Sequence, residues 1–144
     1  MKVKCIIWSC LFICFAIGCA GNKKAENRAT ASESDQVREW FEQNAKQMNA
    51  QCPIRADEIT TFKQVLLSGK TMMIKTQILN EYIDEIDFDE FKRLKCENYS
   101  KLLDKKFVEF IKNSGYIIQY VVFDEKGRAI TKVDILGEDI LEYY

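Results

Sequence analysis

A change of hydrophobic period within Phe88 to Phe123 narrows the folds open to this 144-residue chain more than any other stretch. From Phe88 to Asn113, apolar side chains recur at helical spacing: Phe88, Phe91, Cys96, Tyr99, Leu102, Leu103, Phe107 and Phe110 fall within an arc of about 160° at 100° per residue. A stripe that wide predicts one long helix lying across a sheet. Ser114-Gly115 is its stop, and Tyr116 to Phe123, rich in Ile, Val and aromatic residues, predicts a strand. Lys95 and Lys106 interrupt the stripe and are expected to lay their methylene stems on apolar neighbours while their ammonium groups stay in water.

The remaining segments supply the other layers. Ser34 or Asp35 is placed to cap a first helix reaching about Asn49, with Val37, Trp40, Phe41, Ala45 and Met48 on its apolar face. Cys52-Pro53 closes that helix, because the residue before a proline is pushed out of helical geometry. A hairpin follows, with strands over about 58–67 and 71–79 joined at Ser68-Gly69-Lys70. A second hairpin joins Tyr116–Phe123 to Ala129–Leu136 through Asp124 to Gly127, where the glycine suits a left-handed turn position. The order helix, β-hairpin, long helix, β-hairpin predicts an α+β domain over residues 35–144, a four-stranded antiparallel sheet with its helices on one face. The tail from Glu138 to Tyr144 carries no legible role.

The chain contains no histidine, which removes the commonest general base, the commonest metal ligand and every Ser-His or Cys-His nucleophile pair. Six acids crowd Glu81 to Glu90, but they lack the spacing of a calcium loop: counted from Asp87, the fifth and sixth positions are Phe91 and Lys92, where an acid or amide and a glycine are needed. A helix start accounts for them better, with Asp87 as N-cap and Glu90 answering it in a capping box, and Ile86 and Phe91 as a hydrophobic staple. Gly-rich phosphate loops, paired-cysteine zinc spacings and nucleophile elbows are all absent. The residues therefore point to a non-enzymatic protein with no metal and no cofactor.

The N-terminus supplies an address. Lys2 and Lys4 precede an apolar run, Cys5 to Ile17, shorter than the roughly 18 residues that span a bilayer, and a small residue, Gly18, then stands before Cys19. Gly18-Cys19 resembles the lipobox of bacterial lipoprotein precursors, although Ala16 and Ile17 stand where that family more often has Leu and then Ala or Ser. The resemblance implies a signal peptide over residues 1–18, cleavage before Cys19 and lipid on its thiol. The protein would then be anchored in the bacterial cell envelope, with inner and outer membrane both open. Residues 19–34, small and polar, read as a solvated tether in which Lys23 and Lys24 serve solubility. Removing Lys2 and Lys4 leaves 19 basic against 22 acidic side chains, a net charge of −3, too mild to imply nucleic acid as a partner.

From about residue 35 to 140 the layout also resembles small uncharacterised lipoproteins of Bacteroides-like bacteria: a Cys-Pro after the first helix, a Thr-rich first strand, then a helix and a closing hairpin that ends in acids. Its order of elements looks like cystatin-like or β-lactamase-inhibitor modules, an analogy of fold alone. Two functions are open on these grounds. One is a binding or inhibitor module that meets an envelope protein; the other is a carrier of a small apolar ligand held between helices and sheet. Once the signal and the lipid account for Cys5, Cys10, Cys14 and Cys19, only Cys52 and Cys96 keep thiols, which in an oxidising compartment predicts a disulfide between them. It would close a loop of about 44 residues and stabilise the fold by roughly 3–4 kcal/mol.

Overall fold

A computed structural model describes residues 32–144; residues 1–31, with the expected signal, Cys19 and most of the tether, lie outside the described residues. Helix α1 (Glu33–Gln51) starts two or three residues earlier than its sequence suggests, because Ser32 rather than Ser34 or Asp35 caps it: the Ser32 Oγ accepts the Asp35 N–H at 3.2 Å. The chain then passes Cys52-Pro53 into a two-residue strand, β1 (Ile54–Arg55), and on to β2 (Thr60–Ser68) and β3 (Thr71–Ile78). A 3₁₀ segment over Asn80–Glu85 leads to α2 (Phe88–Leu102), α3 (Lys105–Ser114), β4 (Ile117–Phe123), β5 (Ala129–Ile135) and a short α4 (Gly137–Leu141).

The domain is α+β, but its sheet is not the four-stranded antiparallel one expected. It has five strands in the order β1-β2-β3-β4-β5, and the central pair β3 and β4 runs parallel. The reason lies in the connection: β3 leaves one end of the sheet and the helical segment carries the chain back before β4 begins, which gives parallel neighbours. The two hairpins, β2-β3 and β4-β5, are antiparallel as expected.

The long helix is in fact two. Asp104 adopts extended geometry, φ −77° and ψ 151°, and its Oδ1 accepts the Phe107 N–H at 2.8 Å, so it caps a new helix where the old one ends. Gly115, at φ 70°, closes α3 in the left-handed conformation that a β-carbon would disfavour. Asp87 does cap α2, accepting the Asp89 and Glu90 N–H groups at 3.0 Å each. The reciprocal half of the capping box is missing, because the Glu90 carboxylate is taken by Arg93 at 2.6 Å.

Register aligns the core in rows that run across the sheet: Val65, Ile74, Tyr120 and Val133 in one, Leu67, Met72, Ile118 and Ile135 in the next. Onto these rows α1 brings Val37, Phe41 and Ala45, α3 brings Val108 and Ile111, and α4 brings Ile140, all in one contiguous buried cluster. Burial of this kind stabilises by roughly 25 cal/mol per Å² of apolar surface, so a fully enclosed Phe41 or Ile74 contributes about 2–3 kcal/mol.

Candidate functional site

The arrangement of the helices singles out one region. Helix α1 packs chiefly on β2 and α3, α2 on β5 and α4, and α3 on α4, so the principal helix contacts run α1-α3-α4-α2 around the sheet face. Between α1 and α2 the sheet centre is bridged by side chains. The most prominent is Lys95, only 7% exposed, whose ammonium lies 5.3 Å from the ring centre of Phe91, 5.3 Å from that of Tyr120 and 5.8 Å from that of Phe62. Three ring faces around an ammonium offset part of the cost of removing it from water. The rest shows in its acidity: burial pushes the Lys95 pKa down to about 8, against which the Asp57 carboxylate pulls it up. The expectation that Lys95 keeps its ammonium in water is thus wrong, because Lys95 points at the centre of the sheet. Lys106, by contrast, is exposed, its ammonium 5.6 Å from the Phe110 ring.

Around Lys95 sit further polar groups drawn inward by the same packing. The Tyr99 and Tyr120 hydroxyls share a hydrogen bond of 3.0 Å. Burial pushes Tyr99 up to about 12 and Tyr120 well above the usual phenol value, so both stay protonated as a donor-acceptor pair. Asp57 uses one oxygen to accept the Ile59 and Thr60 N–H groups at 2.9 and 2.8 Å, while its buried Oδ2 has no hydrogen-bond partner among the described residues. Lysine within the apolar arc was the sequence's signal for this cluster. Nothing in the sequence signalled Asp57, which joins it through the turn between β1 and β2.

Cys52 and Cys96 stand as free thiols. Cys52 ends α1, the helix on β2, whereas Cys96 lies on α2, the helix on β5, so the two helices place them on different flanks of the sheet. Burial raises both thiols, Cys96 to about 11, the opposite of the thiolate activation a nucleophile needs. Among the described residues no three His, Cys, Asp or Glu side chains cluster to hold a metal, and no helix is long and apolar enough to cross a membrane.

Outside the core, Leu102, Tyr143 and Tyr144 are 50%, 37% and 45% exposed. The Tyr144 hydroxyl donates to the Leu103 carbonyl, which ties the tail to the joint between α2 and α3, while Tyr143 lies near Arg93 of α2. The tail whose role the sequence left blank thus has two: α4 seals the core with Ile140, and Tyr144 fastens the tail to the end of α2.

No protein-family model matches the chain, and neither does any curated protein. Solved structures do. A Pseudomonas aeruginosa protein assigned as secreted superposes with a TM-score of 0.59 at 10% identity, over 76% of this chain and 97% of its own. The pilotin EpsS of the Vibrio vulnificus type 2 secretion system gives 0.57 at 12% identity, over 75% and 94%. The type II secretion system pilotin AspS of Vibrio cholerae gives 0.55 at 7%, over 74% and 94%. At such identities the likeness is one of fold.

Proposed function

We propose that this chain is a lipid-anchored, non-enzymatic protein-binding module of the bacterial cell envelope, working as an accessory to a larger envelope assembly in the manner of a pilotin. The observation that carries this reading is a filled interior with apolar groups left outside. Phe41, Phe62, Met72, Ile74, Ile111 and Ile118 are each less than 2% exposed, whereas Leu102, Ile130, Tyr143 and Tyr144 stand exposed at the surface. A carrier of a small apolar ligand calls for the reverse. The fold shared with two secretion-system pilotins supports the same function, as do Gly18-Cys19 and the raised pKa of both described thiols.

A photo-crosslinking residue placed at Leu102 in the native envelope tests it. The expected result is a discrete adduct with one envelope protein, present at Leu102, absent at Thr61 on the far side of the domain, and weakened when Cys19 is replaced by Ser. If native mass spectrometry of the purified chain instead reveals a retained apolar small molecule, with no adduct at Leu102, the carrier function replaces this one.

A further inference from the structure

We propose that Lys95 is a proton-operated latch on α2: neutral, it stays seated among Phe62, Phe91 and Tyr120, and protonated, it favours an opened helix in which its ammonium reaches water. The geometry supplies the parts. Phe62 belongs to β2, Tyr120 to β4 and Phe91 to α2 itself, so the seat fastens the inward side of α2 to strands with which the helix backbone makes few contacts of its own. The outward side is held separately: Lys92 bridges to Asp139 of α4 at 2.8 Å, with the Asp134 carboxylate of β5 beyond it. A helix fastened along two sides by different groups can let go of one while the other acts as its hinge.

Asp57, in the turn between β1 and β2, acts on Lys95, the Tyr120 ring of β4 lies against its ammonium, and Cys96 and Tyr99 are the nearest titratable residues along α2. While α2 is seated, Tyr99, Tyr120 and Cys96 all hold their protons to about pH 11 or beyond, so in that state Lys95 is the member of the group that titrates near pH 8. Burial costs the ammonium its hydration, and the three rings with the nearby Asp57 carboxylate return only part of it. The seated lysine accordingly binds its proton less tightly, at about 8, than the ordinary 10.5 it regains in water. By linkage, proton binding favours the opened state. Opening is greatest and flat below pH 8 and declines between pH 8 and 10.5, falling about tenfold from pH 7 to pH 9.

Hydrogen exchange of the mature lipidated chain in detergent, read at pH 7 and pH 9 and corrected for the intrinsic exchange rate, tests the latch. Amides of residues 88–102 are expected to open about tenfold less often at pH 9, while those of β4 keep their protection. Lys95→Met, which has no proton to lose, is expected to remove the pH effect; Lys95→Arg, charged throughout, to leave α2 at its more open level at both values. Equal opening of α2 at the two pH values, the same tenfold change in Lys95→Met, or a parallel change in β4 overturns the proposal. Should Lys95→Arg fail to fold, an NMR titration of the Lys95 side chain decides with the other two proteins, and a value at or above the ordinary lysine value overturns the latch.

Discussion

The Tyr99 and Tyr120 hydroxyls, 3.0 Å apart beneath α2, illustrate how much a single buried polar pair can hold. Deleting one hydroxyl leaves its partner dry and unsatisfied, and the asymmetry of hydrogen-bond energetics makes that worse than losing both. Tyr120→Phe keeps the ring that Phe91 and Lys95 pack against, so the change isolates the hydroxyl; it should cost about 1–3 kcal/mol. The Tyr99→Phe, Tyr120→Phe double variant should cost less than the sum of the singles, a coupling that urea denaturation of the four proteins would measure. Additive costs would mean that the hydroxyls do not depend on each other. Reactivity should separate the thiols as well: Cys52, half-buried, should be alkylated in the native protein, and Cys96, buried and raised to about 11, only after unfolding. In protein exported by its native host, two thiols that resist alkylation even in denaturant until reduced would show a disulfide there.

Among the elements, Gly137 makes the sharpest demand. It opens α4 where that helix crosses α3, and a β-carbon added there would sit 2.6 Å from the Lys112 backbone nitrogen, closer than packed atoms approach. Gly137→Ala should therefore push the two helices apart at about 2–3 kcal/mol, seen as a fall in Tm of order 10 °C. Gly69→Ala is the control, since a β-carbon there meets open space and only its φ of 58° resists; it should cost about 1 kcal/mol. Equal losses would deny the close crossing. The elements with strong periodicity, α1, both hairpins and the helical stripe, could be read from sequence because burial imposes a period on many residues at once. A two-residue β1 and a five-residue α4 offer too few residues for any period to show. The break at Asp104 was present as a cap residue three positions before Phe107, yet the apolar stripe runs across it unbroken, because both helices cover the same sheet. Parallel pairing of β3 with β4 was implied by strand, helix and strand in succession, a rule of connection and not of pattern. The Lys95 cluster was half visible: a lysine inside an apolar arc was evident, but its neighbours Phe62, Tyr120 and Asp57 come from three other segments, and only the register brings them together.

At the scale of the whole molecule, the proposed membrane attachment is assigned to Cys19, which lies outside the described residues. No helix among residues 32–144 can cross a bilayer, and the net charge of −3 expected after cleavage opposes docking on an anionic lipid surface. Attachment then rests on the lipid proposed for Cys19, in which each buried methylene contributes about 0.8 kcal/mol. Cys19→Ser removes the acceptor thiol and nothing in the folded domain. It should shift the protein from the membrane fraction to the soluble envelope fraction, or leave it as an unprocessed precursor, with its urea midpoint unchanged. Incorporation of labelled fatty acid should fall to background in the same variant. Label that persists in Cys19→Ser would place the lipid elsewhere, and membrane retention of a cleaved, unlabelled chain would mean that the domain itself binds the membrane, contrary to its charge.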